Sequence, residues 1–309
     1  MPRSSTQPLT VQSVSLVLLT SVLWGATPVA ISYSLDTLPP VGVAAIRFTM
    51  AVVFMLVWCR IERTNLKIQT GQLRPILILA VMLFAQITLF HIGIHRSSSS
   101  HGSLFINTFV LWVVLIEHFV TKIIRLSPRR LAGLAIAAFG AYLILSTTDG
   151  ESQKLQNDSS LDVATFTGDL ILLASAFLLG IKIVYTKQVL KIIEPGKLIF
   201  WHAAIAVVLF IIYSWVFEEM HLEGFTMPAI LGLLYQGFVV AGFCFAVQGV
   251  LLRRHTATQI SVFAFTVPIF GITIGVLMRG DPLSPWLLVS GVCVAVGILL
   301  VNINSGSRN

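Results

Sequence analysis

Two basic residues lie inside long apolar stretches of this chain, where a charge is costly. Arg47 follows Pro40, the first residue of its stretch, at a distance of about 10 Å along a helix. An arginine at the centre of a membrane helix costs about 2.5 kcal/mol or more. Either its side chain extends to the outer interface, or it faces the inside of a helix bundle and bonds a carboxylate or helix-end carbonyl groups. We predict the second arrangement, in which Arg47 lines or buttresses a substrate-binding cavity.

Lys182 and Glu117 are the other charged candidates. Lys182 lies toward one end of its apolar stretch, with Lys187 beyond it. One interpretation is that the Lys182 side chain extends to the membrane surface, and the alternative is that it faces the cavity. Glu117 is a candidate for carrying a coupling proton, because burial favours the protonated form of a carboxyl group. The alternative is an interfacial carboxylate that pairs with Lys122 or Arg125.

Neither the histidines nor the cysteines predict a metal site. His91 and His95 have the i, i+4 spacing that zinc sites use on a helix, and His101 follows, but the sequence places no acidic residue nearby to complete a ligand set. The three cysteines have neither metal-ligand spacing nor the pattern of a disulfide framework. The chain also lacks a P-loop and the motif of a serine hydrolase. We therefore predict no metal, no cofactor and no enzymatic activity.

Several polar and aromatic residues within the apolar stretches are further candidates for lining a cavity. For each one alone, packing or an interhelical hydrogen bond is the simpler interpretation. Pro28 and Pro268 also interrupt apolar stretches and are candidate hinges, because a proline removes a backbone hydrogen bond. The cavity candidates besides Arg47 are Trp24, Thr27, Gln86, Asn107, Tyr185, Trp201, His202 and Gln236.

The elements that carry these residues are predicted to be membrane-spanning helices. Apolar residues make up 56% of the chain and charged residues 11%, against about 25% charged residues in soluble domains. The apolar runs have the length of roughly 20 residues that a membrane helix needs and lack the alternation of barrel strands. Ten spans are predicted, at residues 14–34, 40–59, 75–95, 102–121, 130–147, 167–185, 197–217, 227–252, 257–278 and 284–304.

The second five spans repeat the spacing of the first five. Leu126-Ser127-Pro128 and Leu283-Ser284-Pro285 stand at corresponding places, and Gly140 and Gly297 follow them. The predicted organisation is therefore a first repeat at 14–147, a polar and flexible linker at 148–166, and a second repeat at 167–304. An odd number of spans inverts the second repeat in the membrane, an architecture that secondary transporters use.

The distribution of basic residues predicts the orientation. With the N-terminus inside, Arg96, Lys154 and Arg279 lie on the outer side, Arg47 and Lys182 lie within spans, and the other fifteen of the twenty basic residues lie on the inner side. Both termini are thus predicted to be cytoplasmic, and the linker external. This segregation explains the net charge of +7 without a nucleic-acid partner. The expected location is a cell membrane, namely a bacterial inner membrane.

Short motifs in both halves share a pattern with a known family. They are Leu23-Trp24-Gly25 with Pro28, Ala45-Ile46-Arg47-Phe48, Gly168-Asp169-Leu170, Val267-Pro268-Ile269-Phe270 and Gly280-Asp281-Pro282-Leu283-Ser284. In order, spacing and duplication they resemble the EamA-type family of the drug/metabolite transporter superfamily, over roughly residues 14–304. This resemblance implies ten helices around a central cavity and movement of small metabolites, often export of amino acids or related compounds.

The chain departs from the family's pattern at the two candidate gates. Leu111 stands in the first half where the second half has Pro268, and the stretch 121–127 lacks the glycine and glutamate that the family usually carries there. Asp281 replaces the corresponding glutamate in the second half. Because only one of the two spans has a proline, we predict that the ninth span flexes as a gate and that the fourth stays straighter.

The sequence thus predicts a secondary transporter that works by alternating access between inverted repeats. Its partners would be a small-molecule substrate and the lipid bilayer, and a homodimer is compatible with the sequence. The alternative is a polytopic membrane protein that does not transport, such as an intramembrane enzyme or an assembly factor. The repeats, Arg47 and the two span prolines favour the transporter, whereas an enzyme would require convergent catalytic side chains.

Overall fold

The first half of the chain forms seven helices. The computed structural model describes residues 10–122, 126–155, 164–247, 251 and 262–302, and it contains no strand within these ranges. The helices of the first half are α1 (Val11–Gly25), α2 (Thr27–Leu35), α3 (Pro40–Ile61), α4 (Leu73–His95), α5 (Ser99–Asn107), α6 (Phe109–Phe119) and α7 (Pro128–Leu155).

The second half is also helical. It contains a π-helical segment at Tyr235–Cys244 and short 3₁₀ turns at Leu222–Gly224 and Val262–Phe265. Its α-helices are α8 (Phe166–Val189), α9 (Pro195–Phe217), α10 (Met227–Leu234), α11 (Thr266–Arg279) and α12 (Pro285–Asn302).

The helices have the dimensions and surface of a membrane protein. Within the described ranges, nine helical segments of 18 residues or more are apolar enough to cross a membrane, and Phe263–Arg279 forms a shorter apolar helix. Large apolar side chains cover the outside of the bundle, among them Trp215 at 85% exposure and Leu277 at 78%. Such a surface is stable in lipid and not in water. The chain is therefore a multi-pass membrane protein.

The fourth span contains an interruption that the sequence prediction did not include. It breaks at Thr108, where α5 ends and α6 begins. No proline lies at the break. Instead Thr108 Oγ1 donates to the carbonyl of Phe105 at 2.7 Å, and Asn107 Nδ2 donates to the carbonyl of Ser103 at 2.7 Å. Side chains that bond back to the preceding turn bend helices.

The ninth span breaks at the corresponding place. Pro268 is the third residue of α11, as Leu111 is the third residue of α6, and a 3₁₀ turn precedes α11. In the first turn of a helix a proline sacrifices no intrahelical hydrogen bond. The two spans are therefore interrupted alike, although only one of them contains a proline. Pro28 lies in the first turn of α2, directly after the interruption of the first span at Ala26.

The predicted linker at 148–166 begins as a helix. Helix α7 continues to Leu155, which is eight residues beyond the predicted end of the fifth span at Thr147. Residues 156–163 lie outside the described ranges, as does Arg125, one of the two partners predicted for Glu117.

Glycines allow a close helix contact between α7 and α12. A methyl group at Gly297 would lie 2.6 Å from the carbonyl oxygen of Gly133, and one at Gly133 would lie 2.8 Å from that of Gly297. Only small residues allow two helix backbones to approach this closely. Gly140, on the same face of α7, faces Ser290 and Cys293 of α12.

A four-helix group made of α3, α4, α8 and α9 buries Arg47, Gln86 and His91 within its apolar lengths. Helix α3 packs on α9, and α4 packs on both α8 and α9. Phe48, Phe84 and Phe210 fill the space between α3, α4 and α9, with ring centroids 5.2–5.6 Å apart. The group takes two helices from each half of the chain, so any site inside it lies between the halves.

Candidate functional site

Five polar residues inside the four-helix group form what we call the polar cluster: Arg47, Gln86, His91, Lys182 and His202. They come from α3, α4, α8 and α9 and lie within the apolar lengths of these helices. Because the helices satisfy their own backbone hydrogen bonds, the side chains alone supply the polarity of this region.

Arg47 is buried, with 5% of its surface exposed. Its Nε and Nη1 atoms have no hydrogen-bond partner, and the guanidinium carbon lies 5.3 Å from the ring centroid of Phe48. The side chain thus faces the bundle and does not extend to the interface. A buried guanidinium group with free donors is unusual, because unpaired buried donors cost free energy.

Lys182 also faces the bundle, so the interpretation that its side chain extends to the membrane surface is wrong. Its Nζ atom donates to Gln86 Oε1 at 3.0 Å. The Gln86 amide donates in turn to Ser175 Oγ at 3.2 Å, and Ser175 donates to the backbone carbonyl of Gln86 at 2.9 Å. These bonds join α4 to α8 and hold the lysine ammonium at membrane depth beside a neutral amide.

The two histidines of the polar cluster are each anchored through Nδ1. His91 Nδ1 lies 3.0 Å from the carbonyl oxygen of Pro40, and His202 Nδ1 lies 2.6 Å from that of Leu198. Since a carbonyl oxygen only accepts, each Nδ1 carries the proton. The Nε2 atom of His91 is buried and has no hydrogen-bond partner.

The polar cluster is electrostatically positive. Its strong bases are Arg47 on α3 and Lys182 on α8, and it contains no acidic side chain. Among the described residues, no carboxylate forms an ion pair with Arg47 or Lys182. The two basic side chains thus lie in a medium of low dielectric constant without a counter-ion from the described part of the chain.

Glu117 pairs with a different residue from those that the sequence suggested. Its Oε1 atom accepts from Lys187 Nζ at 2.8 Å, across the contact between α6 and α8. The Lys187 side chain is 57% exposed, whereas that of Glu117 is 11% exposed. Glu117 therefore lies at the end of the bundle and not in the polar cluster.

Two buried aspartates bind the serine run that precedes α5, and sequence reasoning missed both roles. Asp169 accepts from Ser97 Oγ at 2.6 Å and lies 3.0 Å from Nδ1 of His101. Asp281 accepts from Ser99 Oγ at 2.7 Å and from the Ser100 backbone N–H at 2.6 Å, which caps the N-terminus of α5. Both aspartates had appeared in the sequence only as parts of family motifs.

The remaining aromatic candidates lie outside the polar cluster. Trp201 donates from Nε1 to the carbonyl of Leu66 at 2.7 Å, in the loop between α3 and α4. Tyr185 packs beside it at the same end of the bundle. Trp24 packs edge-to-face on Phe245, with ring centroids 6.3 Å apart. These contacts are those of packing residues.

The remaining polar candidates bond to backbone groups. Gln236 donates from Nε2 to the carbonyl of Ala30 at 2.9 Å and to Ser34 Oγ at 3.0 Å, which joins the π-helical segment to α2. Thr27 and Asn107 bond to carbonyl groups of the preceding turn, so neither forms the interhelical bond considered for mid-span polar residues.

No group of three or more candidate metal ligands occurs within the described ranges. His91 and His101 each have their own partner, on different helices, despite the spacing of the histidines in the sequence.

Comparisons with known proteins agree with this architecture. The pattern of the EamA-like transporter family matches residues 12–146 and 166–303. An "Uncharacterized transporter YoaV" of Bacillus subtilis (strain 168) is 23% identical over 281 residues, which cover 91% of this chain and 93% of that protein. A "Probable amino-acid metabolite efflux pump" of Escherichia coli (strain K12) is 24% identical over 294 residues, which cover 92% of this chain and 93% of that protein.

A solved structure, titled "Crystal structure of protein", has a TM-score of 0.67 to this one at 16% identity and covers 94% of this chain and 96% of that one. It shows that the fold is shared. The family match spans both halves of the chain and accounts for the membrane helices, so this protein belongs to the EamA-like transporter family.

Proposed function

We propose that this protein is a secondary transporter of small metabolites, such as amino acids or related compounds, and that it exports them by alternating access. In this proposal ten membrane helices form two inverted five-helix repeats, whose equivalent breaks lie at Thr108 and just before Pro268. Both termini are cytoplasmic, and the membrane is a bacterial inner membrane.

The observation that carries the proposal is the place of the polar cluster. Its residues come from two helices of each half and lie within the apolar lengths of these helices, and Arg47, Gln86 and His91 are buried. Secondary transporters built from inverted repeats bind their substrates near the midplane between the repeats. Polar residues inside a membrane protein are costly, and function is the usual reason that they are present.

The class of substrate is supported by the comparisons. The relative from Escherichia coli carries the name of an amino-acid metabolite efflux pump and aligns over almost the whole chain. The polar cluster offers a guanidinium, an ammonium, an amide and two imidazole groups, which suit a small polar solute.

Transport is tested with purified protein in proteoliposomes. The vesicles are loaded with unlabelled amino acids, one at a time, and exchange against external labelled amino acid is followed. We expect exchange above that of protein-free vesicles for at least one amino acid, and loss of exchange in Arg47→Ala with normal reconstitution. Exchange equal to that of protein-free vesicles for the whole panel would contradict the proposed function.

Alternating access is tested separately. In a protein without native cysteines, Ser32→Cys reports on the cleft that Ser32, Asp36, Ser97 and Arg279 line at one end of the bundle. A transported amino acid should change the rate at which an impermeant thiol reagent labels this cysteine, because the bound substrate shifts the population of conformations. An unchanged rate at saturating substrate would contradict the mechanism.

A further inference from the structure

We propose that the polar cluster binds the carboxylate group of a small organic solute, held jointly by Arg47 and Lys182. The inference rests on the proposed function and names the chemical group by which the transporter recognises its substrate. It goes beyond the family assignment, since that assignment identifies no ligand group.

The charges within the bundle carry the first step. Arg47 is buried on α3, Lys182 on α8 bonds Gln86 of α4, and α4 packs on both α3 and α8, while no described carboxylate pairs with either basic residue. A buried cation is stable only when an anion or hydrogen bonds compensate for the lost hydration. Lys182 has one hydrogen bond to a neutral amide, and two guanidinium nitrogens of Arg47 have none. An anion between the two side chains would accept hydrogen bonds from Arg47 and Lys182 and would compensate for their positive charges.

The second step is that the buried acidic residues of the described ranges are engaged elsewhere. Glu117 binds Lys187, Asp169 binds Ser97 and His101, and Asp281 caps α5. None of these contacts includes Arg47 or Lys182. The described part of the chain thus offers no internal anion for the polar cluster, and a ligand is the remaining source.

The third step concerns the geometry of the free donors. A guanidinium group is a planar fork that matches the two oxygens of a carboxylate. Lys182 uses one of its three N–H donors on Gln86 and keeps two for a ligand.

The location adds a consequence for transport. Arg47 belongs to the first half and Lys182 to the second, so one carboxylate bound to both would join the two halves. Relative movement of the halves would then depend on the presence of the anion.

The experiment compares acids with their amides in proteoliposomes. Uptake of labelled leucine, methionine and phenylalanine is competed with each amino acid, its 2-oxo acid and its primary amide. We expect the amino acids and the 2-oxo acids to compete, and the amides to compete at least about tenfold more weakly, because each amide lacks the charge-assisted bonds. Arg47→Gln and Lys182→Gln should each raise the apparent KM for the acids about tenfold or more and leave competition by the amides unchanged.

Lys191→Gln is the matched control. Lys191 is exposed, binds Gln188 and lies outside the polar cluster, so this variant should behave as wild type. Size-exclusion profiles in detergent verify that each variant is folded. A thermal-stability assay provides a readout that does not need transport: the acids should raise the Tm of the wild type and not that of Arg47→Gln.

The outcomes separate the inference from the proposed function. Amides that compete as well as acids, or phosphate esters that compete better than acids, would overturn the carboxylate site and leave transport intact. Absence of all uptake would contradict the proposed function alone if the acids still stabilise the wild type through Arg47. Absence of both uptake and stabilisation would overturn both.

Discussion

Arg279 binds Asp36 through both ends of its planar fork. Nη1 donates to Oδ2 at 2.6 Å and Nη2 donates to Oδ1 at 2.9 Å, while the guanidinium carbon lies 4.8 Å from the ring centroid of Tyr33. The Tyr33 hydroxyl donates to the carbonyl of Met278 at 2.6 Å. These contacts join the end of α2 to the end of α11, on the side that we propose faces outward. Alternating access would require them to separate.

The first prediction is that the ion pair of Asp36 and Arg279 holds this end closed. Asp36→Asn removes the charge, so the cleft beside it should open more often. In the cysteine-free protein, Cys at position 32 is the reporter, since Ser32 is 6% exposed and lines the cleft. We expect an impermeant thiol reagent to label it several-fold faster in Asp36→Asn. The double variant Asp36→Arg with Arg279→Asp should restore slow labelling in part.

Glu219→Gln is the control for this experiment. Its carboxylate is 91% exposed and lies 3.9 Å from a His221 side chain that is 76% exposed, so its neutralisation should leave labelling unchanged. Equal labelling in wild type and Asp36→Asn would show that the ion pair does not close the cleft.

The second prediction concerns the shape of the basic group at position 47. Arg47→Lys keeps the charge but replaces the planar fork by a compact ammonium group. We expect transport to recover only in part relative to Arg47→Ala, with a higher apparent KM than wild type, as measured in proteoliposomes. Wild-type kinetics in Arg47→Ala would show that the side chain has no part in transport.

The third prediction is that the breaks in the fourth and ninth spans act alike. Thr108→Val removes the side-chain bond to Phe105, and Pro268→Ala removes the proline of the other break. Thr108→Val should make the fourth span more continuous, and Pro268→Ala should let α11 extend into the 3₁₀ turn before it, because alanine restores a backbone N–H at position 268. Each change should lower the maximal rate more than it changes apparent affinity, because conformational steps often limit turnover. Thr273→Val is the control, since Thr273 also bonds its own helix but is exposed. A loss confined to affinity would mean that the breaks shape the binding site and do not move.

The fourth prediction concerns stability. Gly297→Ala places a methyl group against Gly133 and Ala137 on α7, at distances of 2.5–2.9 Å. We expect it to lower the free energy of unfolding by about 1–3 kcal/mol, the usual cost of overpacking. On the same helix, an alanine at Gly291 would meet only the flexible end of Ile272, so Gly291→Ala is the control. Melting curves in detergent compare the two, and equal Tm values would contradict the close contact of α7 and α12.

The fifth prediction is the orientation. Gln69, between α3 and α4, and Glu219, between α9 and α10, are both exposed and lie on opposite sides in the proposed topology. In intact cells, an impermeant reagent should label Glu219→Cys and not Gln69→Cys, in a background without native cysteines. The reverse pattern would place the termini outside.

The membrane helices and the family could be predicted from the sequence because both depend on local pattern. An apolar run of about 20 residues needs a membrane whatever its neighbours are, and motifs such as Ala45-Ile46-Arg47-Phe48 are read along the chain. The sequence also predicted that Arg47 faces the inside of the bundle, because an arginine side chain exposed to lipid at that depth is costly in free energy.

The partners of the charged residues were decided by the tertiary structure. Position along a span did not reveal that Lys182 reaches Gln86, that Glu117 binds Lys187 instead of Lys122, or that Asp281 caps α5. Each partner belongs to a helix far away in sequence, and its angular position around that helix depends on how the helices pack. The break at Thr108 is a related case, because a proline is visible in a sequence whereas a threonine that bonds the preceding turn looks like any other.

The sequence by itself thus determined that the chain crosses the membrane many times and that its pattern occurs in two halves. Only the tertiary structure decided that Arg47 is buried and Lys182 bonds Gln86 within one four-helix group, and that no described carboxylate pairs with them. The physical reason is that hydropathy is a property of each segment, whereas the neutralisation of a buried charge is a property of the side chains that surround it in space.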